Sequence, residues 1–140
     1  MAGPARRQAR TLALQALYES DTTGHSADAA LARMLEAEEV NAPTRELAES
    51  LLRGVNMHRS EIDRLLAEAA PQRPVEDIAA IDRNVLRLAI YEVVFDNRAP
   101  VAAVLNEAVA LAKRFGSESS GRFVNGVLRT IAGSATGQSR

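Results

Sequence analysis

A chain of 140 residues is long enough for one domain with a real core, and 46% hydrophobic against 4% aromatic residues makes that core Leu, Ala, Val and Ile. The absence of cysteine excludes disulfides and thiolate chemistry, and no apolar run reaches the roughly 18 residues of a membrane span. A formal net charge of −1 excludes a protein that coats nucleic acid by charge alone.

The first helix is expected from about Pro4 to Ser20, with proline in its first turn and a break at Asp21-Thr22-Thr23-Gly24. Ala9, Leu12, Ala13, Ala16 and Leu17 form its core stripe. Arg7, Thr11, Leu14 and Tyr18 align at i, i+4, i+7, i+11 beside it. The stretch from Met1 to Tyr18 carries Arg6, Arg7 and Arg10 and no acid. Arginines at a helix N-terminus oppose the macrodipole, at a cost of a few tenths of a kcal/mol each. An arginine and a tyrosine on one ridge can hold a phosphate and stack a base; equally, the tyrosine can edge the core and the arginines be solvated. The basic N-terminus lacks the apolar run and cleavage site of a signal peptide.

Ser26 can cap a second helix to about Glu39, and Thr44 a third with Leu47, Leu51, Leu52 and Val55 facing inward. That pattern reaches His58 and resumes through Ile62, Leu65, Leu66 and Ala69. Pro71 and Pro74 mark the clearest linker. A long central helix is expected from Val75 or Ile78 to Phe95, apolar over most of its circumference, with Arg83, Asn84, Arg87 and Tyr91 on its polar arc. An arginine on such a helix is ordinarily a salt bridge, here to Glu92 or Glu107.

Two further helices meet at a tight corner. Val104, Ala108, Leu111 and Ala112 hold helical spacing, Lys113 and Arg114 suit the C-terminal dipole, Gly116 is placed to stop the helix and Ser117 to cap the next. Phe115 reads as the hydrophobic clasp of a Schellman-type ending. Val124, Val127, Leu128 and Ile131 line one face of the last helix, with Phe123 at the border of core and polar arcs. Gly126 inside that helix implies close approach by another backbone or a ligand. Gly121, in its first turns, weakens the helix and would leave the corner mobile. From Lys113 to Arg129, Lys113, Arg114, Arg122 and Arg129 face one acid, Glu118. Aromatic rings among cations suit single-stranded nucleic acid. A local basic surface on a near-neutral protein predicts modest RNA affinity alone and help from a partner.

Catalysis finds little support. His25 and His58 have no second histidine or cysteine at ligand spacing, so no metal or cofactor is expected, and the glycines form neither G-x-G-x-x-G nor a P-loop.

Three blocks carry a resemblance. Arg6-Arg7-Gln8-Ala9-Arg10 with Gln15-Ala16-Leu17-Tyr18, the run Asp82 to Glu92, and Asn106-Glu107-Ala108, Ala112-Lys113, Phe115-Gly116 and Phe123 to Leu128 resemble, in order and spacing, the NusB family of bacterial transcription antitermination factors. Residues 19–75 agree mainly in helical pattern. The helical pattern and the resemblance together point to an all-α, seven-helix domain over 1–132, with subdomains of about 1–58 and 59–132, and the Ser, Gly, Thr and Gln after Gly133 predict a disordered tail at 133–140. The resemblance implies RNA contacts at Arg6, Arg7, Arg10, Tyr18, Arg87, Phe115, Arg122 and Phe123, and puts Glu76 and Asp82 near a protein partner or the RNA. The implied partners are boxA-type single-stranded RNA, the ribosomal protein NusE and the transcription elongation complex in the cytoplasm; no reaction is catalysed. Asp82 is shorter than the glutamate usual in the family. Ala110 and Arg129 replace acids common there, which makes the RNA-facing half more positive. Two alternatives stand beside this reading. One is a NusB-like module of rRNA cytosine methyltransferases, against which an end at Arg140 with no nucleotide-binding fold would count. The other is a helical interaction protein that binds no RNA.

Overall fold

The computed structural model describes residues 3–137, with side chains through Gly133. These residues form seven α-helices and no strand: α1 Pro4–Thr23, α2 Ala27–Ala37, α3 Ala42–Met57, α4 Arg59–Ala69, α5 Ala80–Ile90, α6 Val101–Phe115 and α7 Ser120–Gly137. The all-α, seven-helix expectation is met. Its boundaries shift where local hydrogen bonds outweigh composition.

α1 does not end near Ser20. The Thr22 and Thr23 hydroxyls donate to the Tyr18 and Glu19 carbonyls at 2.9 and 2.6 Å. Gly24, at φ +81°, then closes the helix through its N–H to the Ser20 carbonyl. The extra turn keeps Asp21 helical and aims it at α5. Ser26 caps α2 as expected, accepting from the Ala29 N–H at 3.2 Å. For α3 the cap is Asn41, whose Oδ1 accepts from the Thr44 N–H at 2.9 Å. Pro43 fits the first turn, where its missing N–H costs nothing, so the helix begins before Thr44.

The long central helix is divided. A 3₁₀ turn spans Val75–Asp77, the chain extends through Ile78 and Ala79, and α5 begins at Ala80. Beyond Ile90 the helix widens into a π-helical turn, Tyr91–Asp96. Asn97, at φ +61°, ends it with its N–H on the Glu92 carbonyl at 3.0 Å. On α3, Gly54 lies under the Tyr91 ring, where any Cβ would overlap the phenol.

α5 is the element the others surround. Val85 through Ile90 are all buried, and α1, α3, α4, α6 and α7 pack against it. Leu12, Leu17, Leu51, Ile62, Leu66, Leu86, Ile90, Val104 and Leu128 belong to one continuous aliphatic core. Each such side chain contributes about 1.5–3 kcal/mol on burial. α1 touches both α3 and α5, so its outer face is held in fixed relation to the second half of the chain. α7 runs to Gly137, past the point where the tail is expected to lose structure; residues 138–140 lie outside the described residues.

Candidate nucleic-acid interface

The three N-terminal arginines separate. Arg10 is 2% exposed, and it donates from Nε to Glu92 Oε2 at 2.7 Å and from Nη2 to Oε1 at 2.9 Å. The expectation that Arg10 lies on the binding surface is corrected: it ties α1 to the π-helical turn. Arg6 is drawn toward Glu92 as well, at 3.6 Å, and toward Asp96, at 3.8 Å, and its side chain is only 16% exposed. These acids offset the cost of cations at the start of α1. Arg7 alone faces solvent, 63% exposed, with Nε 3.3 Å from Glu107 Oε2.

Arg87 is also buried, and its partners are neither Glu92 nor Glu107. Its Nε and Nη2 donate to the two oxygens of Asp63 at 2.9 and 3.0 Å, and its Nη1 lies 3.4 Å from Asp21. Asp21 further accepts from Arg83 Nε and Asn84 Nδ2, both at 2.8 Å. Burial alone would raise the Asp21 carboxyl. The Arg83 and Asn84 hydrogen bonds and the Arg83 and Arg87 charges outweigh it and hold the group below its ordinary value. This network clamps α1, α4 and α5 together and leaves Arg87 little access to a ligand.

Glu76 is exposed in the 3₁₀ turn, whereas Asp82 is buried in the first turn of α5. Asp82 Oδ1 has no hydrogen-bond partner among the described residues.

Two depressions lie along α1. One, of about 380 Å³, is lined by Arg7, Gln8, Thr11, Gln15, Ala110 and Arg114 among others. The second, of about 760 Å³, takes up at Gln15 and includes Leu14, Tyr18, Met34, Ile81 and Phe115. Together they make a trough with the Arg7 and Arg114 guanidinium groups and Glu38 at one end, and the Tyr18 and Phe115 rings and Glu19 at the other. Tyr18 is 40% exposed on its wall and Arg7 faces solvent, whereas Leu14 between them is 1% exposed, so the expected ridge is open at its ends and closed at Leu14. The Arg114 guanidinium lies 4.8 Å from the centroid of the Phe115 ring.

The α6–α7 corner differs from the sequence expectation in its details. Gly116 has φ −102° and ψ −158°, an extended conformation, so no Schellman ending forms. Glycine is needed for space, because a Cβ there would overlap the Ser120 side chain. Ser117 does not cap α7; its N–H donates to Ser120 Oγ at 2.9 Å. Gly121 lies beneath the aliphatic stem of Lys113, packed against α6. Phe123 is half-buried, as its border position implies, and Arg122 is exposed. The corner does not gather its rings in one place. Phe115 faces the trough, while Phe123 and Arg122 line a separate depression with Arg73 and Gly126.

Arg73 escaped the sequence reading. It lies between the two linker prolines, where no periodicity assigns a face, yet its guanidinium is 4.5 Å from the Phe123 ring centroid.

The fold and these faces define an all-α binding protein whose open surfaces pair arginine with aromatic rings. Residues 7–133 match the sequence model of the NusB family. The transcription antitermination protein NusB of Herpetosiphon aurantiacus is 46% identical over 132 residues, which cover 92% of this chain and 90% of that protein. T. maritima NusB superposes with a TM-score of 0.88 at 32% identity, over 99% of this chain and 97% of its own. A chain in the crystal structure of antitermination factors NusB and NusE in complex with dsRNA gives a TM-score of 0.88 at 28% identity, over 95% and 99%. The chain belongs to the NusB family.

Proposed function

We propose that this chain is a transcription antitermination factor that binds boxA-type single-stranded RNA in nascent ribosomal RNA transcripts together with NusE. It works in the cytoplasm, within the transcription elongation complex, and catalyses no reaction. The observation that carries the reading is the trough between α1 and α6, where Arg7 and Arg114 offer charge and Tyr18 and Phe115 offer ring faces. Unpaired bases can reach such rings, whereas paired bases in an A-form duplex are stacked inside it. Arg7, Tyr18, Phe115, Arg122 and Phe123 contact RNA directly, while Arg6, drawn onto Glu92 and Asp96, acts with Arg10 and Arg87 through the helices they hold.

Glu76 and Asp82 mark the side for the protein partner. Glu76 is exposed, open to basic side chains of NusE, whereas Asp82 lies buried in the first turn of α5 and supports the start of that helix.

The test is titration of the full chain, with and without NusE, against a short labelled single-stranded RNA containing U and A, followed by fluorescence anisotropy. Weak binding alone and at least about ten-fold tighter binding with NusE are expected, a coupling in the usual allosteric range. Preference for a duplex of the same sequence would overturn the single-strand reading.

A further inference from the structure

Gly126 occupies the interior of α7, where glycine lowers helix stability relative to alanine. Neither of the usual structural reasons accounts for it. Its φ is not positive, and a Cβ built on it meets nothing within 4 Å. Among the described residues no backbone outside its own helix approaches it, contrary to one of the two expectations from the sequence.

The bare Cα opens instead on a depression of about 530 Å³ between α7 and the linker that follows α4. Arg73 and Arg122 stand on its walls with no acid among its lining residues. Neither arginine has an ion-pair partner among the described residues, in contrast to Arg10, Arg83 and Arg87. Arg73 lies over the Phe123 ring, so a guanidinium–aromatic pair borders the opening.

We propose that this depression is a slot for one unpaired RNA nucleotide. The base stacks on the Arg73–Phe123 pair, the phosphate meets Arg122, and the nucleotide passes close over Gly126, where a side chain would obstruct it. Uncompensated positive charge beside a stacking face is the chemistry of a nucleotide. The volume lies within the roughly 300–1,000 Å³ of small-ligand sites. The inference rests on the RNA reading above, in which Arg122 and Phe123 already contact RNA, and adds to it Arg73 and Gly126 as determinants and a single nucleotide as the occupant.

The experiment uses the full chain with NusE and the same single-stranded RNA, intact and with one base at a time replaced by an abasic site. Gly126→Ala should keep or raise the melting temperature, because it adds a helix-favouring methyl to open space, and should weaken RNA binding by at least about five-fold. Arg73→Gln should weaken binding of intact RNA by about three- to ten-fold. At one abasic position the Arg73→Gln and unsubstituted proteins should bind equally. Arg7→Ala, in the trough, should retain its effect at that position. Gly126→Ala that binds RNA as tightly as the unsubstituted protein would overturn the slot while leaving the trough intact. Loss of NusE affinity with RNA affinity unchanged would also overturn it and assign the depression to protein. No RNA binding by the unsubstituted pair would remove both readings together.

Discussion

Arg10 is sealed beneath α1 with both Glu92 oxygens on its guanidinium, whereas Arg73 lies over the Phe123 ring at the edge of an open depression with no acid among its walls. The two residues carry the same group and do opposite work. Where an arginine is buried and bidentate, it fixes helices; removing it strands a carboxylate in low dielectric. Where it is exposed over a ring, the fold asks little of it and its charge remains available. Residue type alone therefore does not say what an arginine does: burial against a carboxylate separates Arg10 from Arg73, and Arg7, exposed with one bond to Glu107, lies between them.

The sharpest break of this contrast is at the clamp. Arg10→Ala leaves Glu92, 1% exposed, without its hydrogen bonds and with only Arg6 at 3.6 Å as a cationic neighbour, and should cost about 3 kcal/mol in urea denaturation. A loss below about 1 kcal/mol would place this pair with ordinary surface ion pairs and erase the distinction.

Phe123→Ala tests the open side. Its ring is half-buried, so stability should fall by about 1–2 kcal/mol, less than for a fully buried aromatic. RNA affinity should fall at least about five-fold while NusE affinity stays nearly constant. Parallel losses toward RNA and NusE would make the ring a support of the fold.

Acid titration probes the second clamp. Asp21 has a folded-state value held below its unfolded one, so its contribution is present above the unfolded value, near about 3.9, and disappears as pH falls through the folded value. The unsubstituted protein should therefore lose stability below about pH 4 more steeply than Asp21→Asn. Identical slopes in pH-dependent denaturation would show that Asp21 exchanges one set of partners for another on unfolding.

Arg7→Ala should change least in the fold, by about 0.5 kcal/mol or less, because its bond to Glu107 is solvent-exposed. Its signature is electrostatic: the slope of log affinity against log salt should flatten by about 0.7, one single-strand phosphate contact. Arg10→Ala, where folded, should leave that slope unchanged.

Much of the scaffold was legible because it is local. The core stripe of α1, the inward leucines of α3, the Ser26 cap and the all-round burial of α5 follow from residues within one or two turns of each other. The ridge from Arg7 to Tyr18 was equally readable, since helical spacing alone places both on one face. Caps failed where two candidates competed, as Asn41 did with Thr44, because the winner depends on where proline lets the helix begin. The corner was recognised as a corner. Its mechanism was not, since Gly116 serves by making room for Ser120 and not by a left-handed turn.

The sequence by itself determined that this protein is a bundle of seven helices with an aliphatic core, and that Arg7 and Tyr18 share one face of α1, because hydrophobic periodicity and capping are short-range. Only the tertiary structure decided which arginines are spent on the fold. Arg10 finds Glu92 across 82 positions, and Arg87 finds Asp63 across 24 and Asp21 across 66. No local pattern distinguishes them from Arg7 or Arg73. An arginine's role is set by the dielectric around it and by the carboxylate that folding delivers, and both exist only once the helices have packed.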